Sequence, residues 1–145
     1  MKHIAYAAVM LLLLSNNFYL AAQKTSSGKV PYKVVFDITS KDTMAHKTVI
    51  RLLTEITNSN PEAQLEVVYY GKSLDMIVKD KSTQAAAVQK FAQNKNVSFR
   101  VCKVAMKNND IDMSQLIPGV ETIPDGVYEI ISKQAEGWGY IKISN

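Results

Sequence analysis

The chain has 145 residues, 47% apolar and 21% charged, with 17 Lys and Arg against 13 Asp and Glu, giving a formal net charge of +4. That length suits one domain around one core and leaves little room for a second. The basic residues are scattered, Arg occurs only at Arg51 and Arg100, and no basic stripe is interleaved with aromatic side chains, so nucleic acid is excluded as a partner class.

In chain order, Met1-Lys2-His3 supplies the positive start of a secretory signal, and Ile4 to Leu14 its apolar stretch. Roughly eleven apolar residues fit that role and fall short of the ~20 that cross a bilayer. The small pair Ala21-Ala22 places cleavage before Gln23, with Leu20 larger than the residue preferred there. The expected organisation is a signal peptide over 1–22, a linker over 23–31 and a folded domain over 32–145, periplasmic or secreted and without stable membrane insertion.

Lys33 to Ile38 is a nearly continuous apolar run, the signature of a strand covered on both faces, as in a parallel sheet. From Met44 to Asn58, apolar residues at Ala45, Val49, Leu52, Leu53 and Ile56 recur at helical spacing, with Asp42 or Thr43 as N-cap. Leu65 to Tyr70 is a second strand ending at Gly71, followed by a short helix over 73–79 and another over 83–93 that Ser82 can cap. The third strand, Val97 to Cys102, alternates: Val97, Phe99 and Val101 point one way, Ser98, Arg100 and Cys102 the other. A helix-like run follows over 103–109. Downstream come a turn at Ile117 to Val120, a brief extended segment over 120–123, a helix opening at Pro124-Asp125-Gly126 with Val127, Ile130 and Ile131 as its stripe, and a last strand over 138–143. This β-α-β-α alternation predicts an α/β fold, a three-layer sandwich with a mainly parallel sheet of about five strands and flavodoxin-like layering.

Cys102 is the only cysteine. In an exported protein it has no intrachain partner, and an unpaired thiol in an oxidising compartment has two explanations: burial as a small apolar residue, or chemistry done by the sulfur. Its place at the carboxyl end of a strand, where a helix begins, favours the thiolate, and Arg100, two residues back on the same face at ~7 Å, adds a cation. Open α/β sheets bind ligands at this edge. The same edge carries Gly71, Lys72 and the helix start with His46, which gives Arg100, Gly71, Lys72 and His46 as candidate substrate contacts around Cys102. Each also has an ordinary reading: His46 as an exposed first-turn residue, Lys72 as a solvated lysine, and Trp138 and Tyr140 as core or subunit packing.

Other chemistries fail on their motifs. Gly71-Lys72-Ser73 imitates the tail of a phosphate-binding loop, but Glu66 occupies the upstream glycine position inside a strand. There is no Cys-x-x-Cys and no His-Glu-x-x-His, and His46 is the only histidine left after processing, so no metal site and no cofactor are expected.

The order of several residues carries a resemblance. Gly71-Lys72-Ser73-Leu74 after the second strand, Cys102 after the third, Met106, Ile111 with Gln115-Leu116-Ile117-Pro118-Gly119-Val120, and Gly126-Val127 with Gln134, Gly137-Trp138 and Tyr140-Ile141-Lys142 together resemble the DsrE/DsrF-like family over about Tyr32 to Ile143. The resemblance implies a parallel-sheet α/β fold, assembly into a homotrimer or hexamer, and in sulfur-relay members a cysteine that carries sulfur as a persulfide, at the position of Cys102. The exported subgroup often has a polar Asn-Thr pair two and three residues after that cysteine. Here Val104-Ala105 stands in its place. Two functions follow: a sulfur carrier or transferase in which Cys102 takes sulfane sulfur from a donor protein or small sulfur compound and passes it to a partner thiol, or a non-catalytic oligomeric binding module with an inert buried cysteine.

Overall fold

The structure, a computed structural model, describes residues 31–144. The expected signal peptide and nearly all of the linker lie outside the described residues. Five strands, β1 (Lys33–Ile38), β2 (Gln64–Tyr69), β3 (Val97–Cys102), β4 (Val120–Ile123) and β5 (Gly139–Ile143), form one sheet in the order β4-β3-β2-β1-β5, every pair parallel. The helices are α1 (Thr43–Ser59), α2 (Ala85–Phe91), α3 (Lys103–Asn108) and α4 (Gly126–Ala135). Parallel neighbours require crossovers, and these helices supply most of them.

Register and alternation give the sheet two unlike faces. Val34, Phe36, Ile38, Leu65, Val67, Tyr69, Val97, Phe99 and Val101 share one face and merge with Val49 and Leu53 of α1, Val88 of α2 and Met106 of α3 in the larger core. Seven of these nine strand residues are no more than 1% exposed. The opposite face carries Val35, Asp37, Glu66, Val68, Arg100, Cys102, Tyr140 and Lys142 in register, and its smaller core consists of Val35, Val68, Ile123 and Ile130. α4 supplies Ile130 to that core and is the helix on this face. The result is the expected three-layer α/β arrangement with unequal outer layers.

Local chemistry sets the element ends. Asp42 caps α1 by accepting from Met44 N at 2.8 Å, and Asp125 caps α4 by accepting from Val127 N at 2.8 Å and Tyr128 N at 3.2 Å. The helix expected over 73–79 is instead a 3₁₀ turn, Ser73–Ile77. The Ser73 hydroxyl donates to Ile38 O at 2.8 Å, and Val78 is already extended, bridging to Leu116. The next helix is shorter than the spacing predicts, because Ser82 holds Gln84 N at 3.1 Å in a turn and α2 begins only at Ala85. The stripe expected on α4 also shifts. Ile130 is buried, whereas Val127 is 51% and Ile131 57% exposed. The contact line runs through Gly126 and Ile130 because Gly126 is where the helix meets the sheet.

A Cβ at Gly126 would lie 3.3 Å from Cys102 Cβ, 3.3 Å from Val68 Cγ1 and 3.4 Å from Tyr70 Cβ. A larger side chain there must push α4 off the sheet. We therefore expect Gly126→Val to lower unfolding free energy by ~1–3 kcal/mol, and Val127→Ala, at the exposed neighbouring position, to stay within ~0.5 kcal/mol. Urea denaturation of both variants checks this, and equal effects at the two positions would refute the close-approach argument.

Candidate functional site

Cys102 ends β3 and is the residue from which α3 starts. It lies at the carboxyl edge of the sheet, on the α4 side, beneath the first residue of α4. Its Sγ is 4.0 Å from Pro124 O, and the residue is 6% exposed. Beside it opens a cleft of about 340 Å³ whose walls are Tyr70 and Gly71 after β2, Val104, Ala105, Asn108 and Asn109 of α3 and the turn after it, and Asp125 and Val127 at the start of α4. Loops and helix starts converge here because all five strands point the same way.

Two polar devices shape the walls. Asn109 Nδ2 donates to Ala105 O at 2.7 Å and to Gly71 O at 3.3 Å, which ties the end of α3 to the turn after β2. Gly71 has φ +64°, a backbone conformation that favours glycine at this turn. Next to Gly71, the Tyr70 hydroxyl donates to Asp37 Oδ2 at 3.1 Å. Asp37 also accepts from Tyr140 at 2.7 Å and from Lys142 Nζ at 2.9 Å. Burial and the Asp37 carboxylate push Tyr70 up to about 12, so it is a neutral hydroxyl donor at physiological pH. Its hydrogen bond to Asp37 raises Tyr140 to about 12 as well.

Of the candidate contacts, the structure brings together Cys102 and Gly71. The others stand apart from this cleft. The Arg100 side chain is taken up by Glu121 of β4, with which it makes a direct hydrogen bond, and by Glu66 of β2, whose Oε2 lies 3.6 Å from Arg100 Nε. Its cation is therefore already committed to carboxylates. His46 is buried rather than exposed, 2% accessible, with Nε2 donating to Ser40 O at 3.1 Å, which fastens the loop between β1 and α1. Lys72 lines a second cavity described below. Among the described residues, no lysine, arginine or histidine lines the Cys102 cleft. The cation expected beside Cys102 is thus paired with carboxylates of the neighbouring strands. Among the described residues there is no group of three or more His, Cys, Asp or Glu placed to hold a metal ion.

Sequence reasoning missed Tyr70, Asn108, Asn109 and Asp125 as cleft residues. Asp125 has a readable signal, an N-cap before an apolar helix whose start must lie at the same sheet edge as Cys102. Asn109 has none, because its role depends on the carbonyl of Gly71, 38 positions away in the chain.

A five-stranded, all-parallel sheet with a cleft at its carboxyl edge places the chain in the class of open-sheet α/β proteins. Within that class the chain belongs to the DsrE/DsrF-like family, whose model matches residues 33–143. Among solved structures it is similar to the protein of unknown function MTH1491 from Methanobacterium thermoautotrophicum, at 27% identity and a TM-score of 0.72, covering 77% of this chain and 98% of that one. The ychN protein from E. coli shares the fold at 13% identity and a TM-score of 0.65, over 78% of this chain and 99% of that one. So does BT1422, a conserved protein of unknown function from Bacteroides thetaiotaomicron, at 12% identity and a TM-score of 0.64, over 77% and 95%. No curated protein matches the chain.

The ion network around Arg100 has its own pH signature. Glu66 is 2% exposed, accepts from Ser98 at 3.1 Å on Oε2, and has no hydrogen-bond partner for Oε1 among the described residues. Burial raises its pKa above the ordinary carboxyl value, Lys133 at 3.9 Å opposes that, and Glu129 reinforces it. A raised folded value means the native state holds the proton more tightly than the unfolded chain. The stability contributed by Glu66 is then complete below the ordinary range near ~4.3 and is lost as pH rises through the folded value. Glu66→Gln should accordingly gain stability relative to the parent as pH goes from about 4 to 7, measured as the difference in urea midpoints. A variant that loses ground over that interval would mean the pairings with Arg100 and Lys133 outweigh burial.

Proposed function

We propose that this protein handles sulfur outside the cytoplasm, with Cys102 accepting sulfane sulfur as a persulfide and passing it to a partner thiol. The observation that carries this reading is the placement of the only cysteine in the wall of a cleft at the carboxyl edge of a parallel sheet. Membership of the DsrE/DsrF-like family supports sulfur relay in general terms. The cleft offers a sulfur-bearing group an apolar rim from Val104 and Val127 and polar contacts from Asn108, Asn109 and Asp125. No helix among the described residues is long and apolar enough to cross a membrane.

The 6% exposure of Cys102 favours a second reading, a binding module whose thiol is packing. Thiol access separates the two. A carrier should be alkylated by iodoacetamide in the native state and should gain the mass of one sulfur atom on exposure to polysulfide, through attack by its thiolate. Cys102→Ser should lose both while keeping its urea midpoint. Resistance to alkylation together with marked destabilisation of Cys102→Ser would install the binding module instead.

We also propose self-assembly, as a trimer or hexamer. Its support is an apolar surface made of Val104 on α3 and of Val127, Tyr128 and Ile131 on α4, which are 51–70% exposed. Light scattering of the protein at micromolar concentration should give a multiple of three protomers, and Ile131→Asp should reduce that mass. A monomer mass for the parent protein would refute assembly.

A further inference from the structure

Next to the Cys102 cleft, and sharing Asn109 with it, lies a second cavity of about 300 Å³ whose lining includes Lys41, Lys72, Lys81 and Asp75. Its lining holds three lysines and one carboxylate. Asp75 is engaged by Lys81 at 3.4 Å, whereas Lys41 and Lys72 make no ion pair among the described residues. Asp42, beside Lys41 in the chain, commits its Oδ1 to the N-cap of α1. A concave surface lined by one sign of charge without matching counter-charges concentrates the potential and draws in ions of the opposite sign.

The position of this cavity gives the charge a use. Asn109 lines both cavities, and Lys72 follows Gly71 directly, so the lysine-lined cavity and the thiol cleft are neighbours. The hydrogen bond from Asn109 Nδ2 to Gly71 O ties the shared residue to the turn that carries Lys72. Among the described residues, the cleft beside Cys102 has no cationic side chain in its lining. A charged sulfur compound arriving there needs a neighbouring site for its charge.

We propose that the cavity of Lys41, Lys72 and Lys81 binds a small sulfur oxoanion and delivers it to Cys102. The delivery rests on the persulfide reading above; the anion site does not. With thiosulfate as the ligand, the thiol proton goes to solvent and the Cys102 thiolate attacks the outer sulfur. The sulfur–sulfur bond of thiosulfate breaks and its electron pair leaves with sulfite, so Cys102 becomes a persulfide without any external oxidant or reductant.

Two probes test this on the full-length protein. Sulfate, which cannot transfer sulfur, is titrated calorimetrically at low ionic strength into the Cys102→Ser protein and into the same protein carrying Lys41→Ala and Lys72→Ala. We expect at least tenfold weaker sulfate binding in the latter, and little change when Lys90→Ala and Lys95→Ala are introduced instead. Equal loss in both pairs, or no loss in either, would overturn the anion site. Thiosulfate is then added to the protein with its native thiol, and Cys102 is followed by intact mass. The Lys41→Ala, Lys72→Ala variant should gain sulfur about tenfold more slowly at subsaturating thiosulfate while reacting with uncharged iodoacetamide at the parental rate. Lysine-dependent sulfate binding with no sulfur gain from either thiosulfate or polysulfide would leave the anion site standing and sink the carrier. Sulfur gain from thiosulfate at the parental rate without both lysines would overturn the delivery and leave the carrier standing.

Discussion

The structure depends on one constraint, the parallel register that sets two buried carboxylates, Asp37 of β1 and Glu66 of β2, on the same face of the sheet as Cys102. A buried carboxylate without partners is costly. Each is met by cations or hydroxyls from other strands and from α4. Tyr70, Tyr140 and Lys142 converge on Asp37, and Ser98, Arg100 and Lys133 converge on Glu66. These two clusters occupy much of the face that an apolar layer would otherwise cover, which is why its hydrophobic core has only four buried residues. α4 approaches most closely at Gly126, over Val68, Tyr70 and Cys102. The thiol therefore sits where the polar face of the sheet meets the start of its covering helix.

The same constraint explains why the thiol environment differs from a simple reading of the strand. On an isolated β3, Arg100 is the nearest cation to Cys102. In the sheet, Glu66 and Glu121 stand beside it on both neighbouring strands, and two carboxylates outcompete one thiol for a guanidinium. Charge near Cys102 is thus set by pairing across strands rather than by spacing along one.

This distinction also measures how much was legible in advance. The strands were readable because a parallel sheet buries both faces of its central members, leaving apolar runs such as Val34-Val35-Phe36 and Val67-Val68-Tyr69 with few competing interpretations. Cys102 at the end of β3 followed from the alternation of Val97, Phe99 and Val101. His46 was misjudged because its burial depends on a carbonyl of the preceding loop, Ser40 O, which no periodicity reveals. On α4 the apolar pattern of Val127, Ile130 and Ile131 does not mark the contact line, because only Ile130 of the three is buried. Gly126, with no side chain at all, marks the closest approach, and Val127 and Ile131 are left outside.

Those outward residues bear on the thiol. Val104 and Val127 both line the Cys102 cleft and are both more than half exposed, so the rim of the site is continuous with the apolar surface of α4. Such a rim is costly to leave in water and gains when another surface covers it, by about 25 cal/mol for each Å² removed. In the proposed assembly a neighbouring protomer set against Tyr128 and Ile131 would stand beside the mouth of the cleft. Assembly would then govern access to Cys102, narrowing the approach from the α4 side and leaving the side of Gly71 and Asn109 for a ligand. That is the side on which Lys41 and Lys72 lie, so the two proposals assign the cleft a covered edge and an electrostatically attractive one.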